Sequence, residues 1–474
     1  QSKHQERYKK ALERLNELQT VYPCTCSRQS IANALEAHGV ATPRNQEMVY
    51  PGSCRPQKIP VHENKTIFSA EMAWRLALPP GLKLQFEDLA LGKQSQNLNQ
   101  EVGDFVLRRR DGVFTYQLAV VVDDARPGVV VNLVRGAVLD DAGVVEQVKR
   151  LGDEAGYVTV RPIGAVTVGL AGETLADLGS MATSRAQVSV FSDDGKCVSD
   201  PLLMRRALEY VKNFGGLIAQ HAQDPRLTEG AQMNEGVVSA QLGLTGWPGV
   251  AEESIIARDV MLAETLGSRI HICHLSTARS VEIVRWAKRR GVQVTAEVTP
   301  HHLLLTDELV RTYDPVYKVN PPLRTQDDVA ALRAALVDGT IDIIATDHAP
   351  HPAEAKECEW DSAAFGMVGL ETAASVAQLV LIESGESDWT RLAEVMSINA
   401  AKIAGDIDHG NELAVGTLAN LAFIDPAVKR EIVRATESKS ENNPYAGLTL
   451  PGRVMHTVYR GTLTVQNGTI RERL

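Results

Sequence analysis

Beyond about residue 140 the chain alternates between two hydrophobic patterns. Short apolar runs at Val158–Val168, Gln187–Asp194, Gly216–His221, Arg269–Leu275, Val292–Val298 and Ile341–Asp347 have the length and flanking residues of buried strands. Between them, apolar residues at helical spacing predict helices over Asp200–Asn213, Glu252–Leu266, Ala278–Arg290 and Gln326–Val337. Strands that alternate with helices build right-handed βαβ units around a parallel sheet. Six of them make most of a (β/α)8 barrel and fall two short of closing it. Two more helices follow near Gly369–Ser384 and Trp389–Gly405, and the tail turns β-like at Leu418–Ile424 and Arg453–Val465. Ahead of residue 140 the pattern is looser. Tyr8, Leu12, Leu15 and Leu18 share one face of a predicted helix. Asp104–Arg110 and Val113–Val122 are β-prone on either side of an Arg-Asp-Gly turn, which predicts a hairpin.

Composition narrows the class. The 474 residues are 44% hydrophobic and 23% charged, the balance of a globular protein. No apolar run approaches the roughly 18 residues of a membrane span; Ala373–Ile382 is about half that and carries Ser and Gln. Gln1–Lys10 is polar, unlike a signal peptide, and a cytoplasmic location is expected. The net charge of −10 argues against broad nucleic-acid binding. Six cysteines are too few for a disulfide scaffold in a chain this long and read as reduced thiols or metal ligands.

Candidate chemistry gathers at the predicted strand ends, where barrel enzymes keep their active sites. Asp193 and Asp194 end one strand, His221 the next and Cys273–His274 the one after; His301–His302 follow the fifth, and Asp347–His348 end the sixth. A single strand-end histidine is more often a satisfied buried imidazole than a ligand. Successive strands that each deliver Asp or His point to a metal site, because neutral imidazole and carboxylate are the ligands of a Zn²⁺ that activates water.

These residues carry a resemblance. Phe191-Ser-Asp-Asp-Gly195, Ala219-Gln-His221, Ile272-Cys-His-Leu-Ser276, Val319-Asn-Pro-Pro-Leu-Arg324 and Ala345-Thr-Asp-His-Ala-Pro-His351 make residues 140–474 resemble the class I bacterial dihydroorotases of the amidohydrolase superfamily. The resemblance implies interconversion of N-carbamoyl-L-aspartate and L-dihydroorotate, a step of pyrimidine synthesis. It makes Asp194 a carboxylate bridging two metal ions, with His221 and His274 on one of them. Asp347 becomes a metal ligand and the general base toward the activated water. Asn320, His351 and the backbone at Phe365–Gly366 match the positions that hold the substrate ring and its carboxylate. The family opens with a strand ending His-x-His, followed by an Arg, and a second strand end carrying an Asn. Ahead of His221 this chain has only His4, His38 and His62, none in such a pair.

Residues 1–137 resemble something else. Tyr22-Pro-Cys-Thr-Cys-Ser27, Tyr50-Pro-Gly-Ser-Cys54, Phe105–Asp124 and Val134-Arg-Gly-Ala137 are similar to an internal fragment of the glutamyl-queuosine tRNA(Asp) synthetases. That resemblance implies a structural Zn²⁺ on Cys24, Cys26, Tyr50 and Cys54, with Tyr116 and Arg135 at glutamate-binding positions, their separation one residue longer than in the family. The alternative is three free thiols beside a turn tyrosine. Neither ATP-binding signature of the family is present, so synthetase activity is not expected.

The expected fold class is therefore α/β: a zinc-containing class I synthetase-like fragment over 1–137, an incomplete (β/α)8 amidohydrolase barrel over 138–410, and a β-rich segment over 411–474. A join near residues 126–144 reads as a splice of two fragments. Three functions remain open. One is a dihydroorotase-like Zn²⁺-dependent cyclic amidohydrolase, impaired or inactive, acting on a small-molecule substrate. Another is a non-catalytic scaffold that assembles with itself or with a pyrimidine-pathway enzyme. The third is a zinc-stabilised tRNA-related module, which the acidic balance disfavours. No membrane partner is expected.

Overall fold

The computed structural model describes residues 5–26, 30–31, 34, 50, 52–62, 72–78, 83–88, 92–97, 104, 106–108, 138–434 and 437–471. The chain divides into two compact units, Gln1–Gly128 and Val129–Leu474.

The first unit opens with helix α1, Gln5–Glu17. Of the predicted apolar face Leu12 is fully buried, whereas Leu18 lies past the helix end and is exposed. Strands β1 (Val21–Cys24) and β2 (Ala73–Leu76) pair antiparallel, Val21 opposite Leu76. Lys83–Asp88 (β3) and Gly92–Asn97 (β4) form a separate hairpin. Val106–Arg108 (β5) pairs with β2, placing Trp74 opposite Arg108. The β-prone run at 104–110 thus joins a sheet through β2; its expected partner at 113–122 lies outside the described residues. Asp104 is the buried polar centre of this unit. It accepts from Tyr22 Oη at 2.6 Å, Arg55 Nη1 at 3.1 Å and the Leu78 amide at 2.8 Å, which compensates its charge.

The second unit starts at α2, Ala142–Ala155, capped by the Asp141 carboxylate. Its parallel sheet consists of β6 (Val190–Phe191), β7 (Leu217–Gln220), β8 (Ile270–Ile272), β9 (Val294–Val298) and β10 (Ile343–Ile344), side by side in chain order. A parallel bridge from Gly164 to Phe191 adds a sixth position beside β6. These are the six predicted strand positions, in the predicted order. The first is reduced to a bridge because Asp193 Oδ1 accepts the amides of Val166 and Thr167 at 2.8 and 3.0 Å, and these donors are lost to any ladder.

Helices α3 (Pro201–Lys212), α4 (Val250–Leu266), α5 (Ala278–Arg289) and α6 (Gln326–Asp338) connect the strands. Three start where the sequence places an oxygen-bearing cap: Asp200 for α3, Thr277 for α5, and the Thr325–Asp328 capping box for α6. Their apolar faces and the strands share one core, including Phe191, Leu208, Ile256, Ile272, Val298 and Leu332. Near the C-terminus, β11 (Leu421–Glu431), β12 (Thr449–Tyr459), β13 (Thr462–Gln466) and β14 (Thr469–Ile470) form an antiparallel meander, the expected β-rich tail.

Candidate metal and substrate site

Three neighbouring strands of one parallel sheet end at the same side, so side chains just past their C-termini converge. Asp194 follows β6, His221 follows β7 and His274 follows β8. His221 Nδ1 lies 3.0 Å from Asp194 Oδ1 and 2.9 Å from His274 Nε2, which is itself 3.3 Å from Asp194 Oδ1. The imidazoles are buried; the Asp194 side chain keeps 51% of its exposure and opens the cluster to solvent.

The donor set suits a small cation. A tetrahedron with bonds of about 2.0–2.1 Å has edges of about 3.3 Å, close to the three separations found. Electrostatics agree. Burial opposes charge on His274, but the bond to Asp194 and the nearby Asp347 and Glu297 carboxylates raise it to about 9. Burial likewise opposes ionisation of Asp194, yet its bonds to His221 and His274 hold the carboxyl well below the usual range. The site stabilises positive charge among these three residues.

Two residues not singled out from the sequence hold the triad in place. Gln223 Oε1 accepts from Asn320 Nδ2 at 3.0 Å and faces His221 Nε2 at 2.8 Å. A proton on Nε2 shared with that carbonyl leaves the Nδ1 lone pair free for a cation held with Asp194 and His274. Glu297 Oε1 accepts the His274 amide at 3.3 Å, and its other oxygen lies 3.0 Å from His271 Nε2. The alternation of an extended chain is the only signal for Gln223: two positions beyond His221, it points to the same side. His274 and Asp347 have φ of +32° and +45°, left-handed values that non-glycine residues rarely adopt and that concentrate at functional sites.

Asp347 stands past β10, but its carboxylate is not one of the three donors that lie within 4.8 Å of one another. Burial raises its carboxyl to about 6, with His274 pulling down and Asp194 pushing up. His351 and Phe365–Gly366 do come together: the His351 ring lies 2.8 Å from the Phe365 carbonyl oxygen through Nε2. At Gly366, with φ of +138°, a Cβ would sit 2.7 Å from both Ala349 Cβ and His351 Nε2, so only glycine fits. Asn320 reaches His221 through Gln223. Ser192 Oγ, Asn320 Oδ1 and His301 Nε2 are among the buried atoms that have no partner among the described residues.

With this geometry in place the comparisons are decisive. Residues 139–280 match the family model described as Dihydro-orotase-like. The dihydroorotase of Streptomyces coelicolor is 67% identical over 332 residues, 70% of this chain and 78% of that protein. That of Mycobacterium tuberculosis is 51% identical over 335 residues, again 70% and 78%. The chain belongs to the dihydroorotase family. Solved structures of dihydropyrimidinase from Brevibacillus agri (TM-score 0.60, 20% identity, 71% of this chain and 75% of that one) and L-hydantoinase from Arthrobacter aurescens (0.60, 23%, 70% and 76%) share its fold, the amidohydrolase barrel. About a fifth of each dihydroorotase relative is not spanned. Residues 1–136 match a different model, the catalytic domain of class I tRNA synthetases (E and Q). Two unrelated families thus follow one another in this dihydroorotase-family chain.

The first unit carries the second candidate cluster. Cys24, Cys26 and Cys54 present their sulfurs within 4.8 Å of one another. Tyr50 Oη is 3.5 Å from both Cys24 and Cys26 Sγ and accepts the Cys54 amide at 2.7 Å. Bonds of about 2.3 Å to sulfur imply edges of about 3.8 Å, so four donors at this spacing fit Zn²⁺. Burial opposes a Cys54 thiolate, but the Thr25 amide, the Tyr50 hydroxyl and the neighbouring thiols lower it to about 6. Tyr116 and Arg135 lie outside the described residues. No helix among the described residues is long and apolar enough to cross a membrane.

Proposed function

We propose that the second unit is a metal-dependent cyclic amidohydrolase of dihydroorotase type whose turnover is blocked by the composition of this chain. The observation that carries the reading is the convergence of Asp194, His221 and His274 at three adjacent strand ends. A Zn²⁺ bound there would polarise the ring amide of dihydroorotate and activate a water. The remaining work falls to the protein. Asp347, half-buried and with its carboxyl raised to about 6, accepts a proton from the attacking water and returns it to the departing amide nitrogen. Asn320, steadied by Gln223, and the His351–Phe365–Gly366 wall orient the ring. In the first unit, Cys24, Cys26, Tyr50 and Cys54 hold a structural Zn²⁺.

The impairment follows from what precedes residue 139. No His-x-His pair occurs ahead of His221. A second cation loses two ligands, and the substrate carboxylate loses charge-assisted contacts worth about 1.5–3 kcal/mol each. Groups that act as a unit fail together, so the loss spans many orders of magnitude. Purified protein with added Zn²⁺ is expected to hydrolyse dihydroorotate no faster than background. Residues 139–474 joined to the dihydroorotase segment that carries His-x-His should regain activity. Brisk turnover by the 474-residue chain itself, abolished by Asp347→Ala, would refute the impairment. The same missing pair favours a second reading, a non-catalytic dihydroorotase-like scaffold. Zinc stoichiometry separates the two, since a scaffold has no need to fill the Asp194 site.

A further inference from the structure

The loop from Asp347 to Val368 leaves the sheet and returns to its origin, where Ala349 donates to the Met367 carbonyl at 2.8 Å. Two lysines, Lys356 within it and Lys318 on the segment it packs against, are buried, and neither has a carboxylate within salt-bridge distance among the described residues. Lys356 ends the short helix α7 (Ala353–Lys356) and is 7% exposed. Its ammonium donates to three carbonyls: Ala364 at 2.8 Å, Gly366 at 3.0 Å and Lys318 at 3.1 Å. Lys318, 2% exposed, reciprocates from the neighbouring segment. Its ammonium donates to Trp360 O at 2.6 Å and Asp361 O at 3.1 Å, and lies 4.6 Å from the centre of the Phe365 ring. The Gly366 amide closes the circuit on Lys318 O at 2.9 Å.

An ammonium offers three donors, and Lys356 has three carbonyls to match. Two like charges buried on facing segments, one donating to the other's carbonyl, are costly, and the cost registers on both. Burial lowers Lys318, and burial together with Lys318 lowers Lys356 to about 8. Asp314, Asp361 and Cys358 act on the pair only at a distance. What this arrangement secures is position. The limb it grips contains Phe365 and Gly366, and the segment it grips runs on within two residues to Asn320.

We propose that Lys356 is a positioning residue: its ammonium, working with Lys318, staples the Phe365–Gly366 limb to the Lys318–Asn320 segment so that the substrate wall is held as one piece. This rests on the assignment of Asn320, His351 and Phe365–Gly366 to the substrate. The staple can nevertheless be tested without substrate or turnover, so its failure is distinct from failure of that assignment.

The experiment is amide hydrogen exchange on the full chain and on Lys356→Met, Lys356→Arg and Lys318→Met variants. Lys356→Met should speed exchange at 362–368 and at 318–320 by about tenfold or more, with α4 exchanging as in the parent. Lys318→Met should produce the same footprint. Lys356→Arg, which keeps a buried multi-donor cation, should restore most of the protection, a rescue that loss of packing alone would not show. Unchanged exchange at 362–368 in Lys356→Met overturns the proposal. If Lys356→Met fails to fold, Lys356→Arg decides: protection retained at 362–368 supports the staple, and protection lost there with α4 intact overturns it.

Discussion

Replacing His274 by Ala removes one corner of the Asp194–His221–His274 cluster, and the size of the effect can be worked out. His274 Nε2 lies 2.9 Å from His221 Nδ1 and 3.3 Å from Asp194 Oδ1. Four-ligand structural zinc sites bind with roughly 10–16 kcal/mol, or about 2.5–4 kcal/mol per ligand. Deleting one imidazole should therefore weaken Zn²⁺ binding by about 10²–10³-fold. A three-donor site keeps water as its fourth ligand and has little affinity to spare, so one equivalent of zinc should be lost on dialysis. The assay is a competition titration against a chromophoric chelator, in a Cys54→Ser background that silences the other cluster. His221→Ala should behave in the same way. Unchanged zinc content and affinity in His274→Ala, with the fold intact by circular dichroism, would refute the assignment of these residues as ligands.

Two further outcomes are expected. With zinc bound, Cys24, Cys26 and Cys54 should resist alkylation of the native protein; on chelation Cys54, its thiol lowered to about 6, should react first. Free labelling of all three in zinc-replete protein would rule out the site. Asp259, fully buried, is the clearest source of pH dependence. Burial raises its carboxyl from 3.8 to about 6, although Arg258 and the Gln220 amide at 2.8 Å pull it down. The folded form therefore holds a proton that the unfolded form releases between about pH 4 and 6. The contribution is intact below the unfolded value and lost as pH rises through the folded one. The stability of the parent relative to Asp259→Asn should fall by about 2 kcal/mol from pH 4 to 7, read from urea midpoints. Parallel pH curves for the two proteins would show that the Asp259 carboxyl is not raised.

Much of the barrel was legible in the chain. Apolar runs bounded by polar strand ends locate β6 to β10 because a parallel strand buried on both faces must be apolar along its length. Helix starts were equally readable, since Asp200, Thr277 and Thr325 act through amides within three residues of themselves. The candidate ligands Asp194, His221 and His274 could be named for a related reason: parallel strands in register bring their C-terminal ends to one edge, whatever lies between them. Cys24, Cys26 and Cys54 were named through the resemblance of residues 1–137 to a synthetase fragment, and their sulfurs do gather.

The tertiary structure decided what depends on partners distant along the chain. The run at Val158–Val168 has the composition of a strand, but the Asp193 carboxylate, some 27 residues away, takes its amides and leaves one bridge at Gly164. Gln223 gains meaning only where Asn320 meets it across 97 residues and its carbonyl faces His221 Nε2. Lys318 and Lys356 are residues that composition assigns to the surface. They are buried because five backbone carbonyls, four from a returning loop and one from Lys318, converge on their ammonium groups. Periodicity and caps are local, and the sequence determines them directly. The pairing of buried polar groups is set by which segments meet, and only the folded chain brings those segments together.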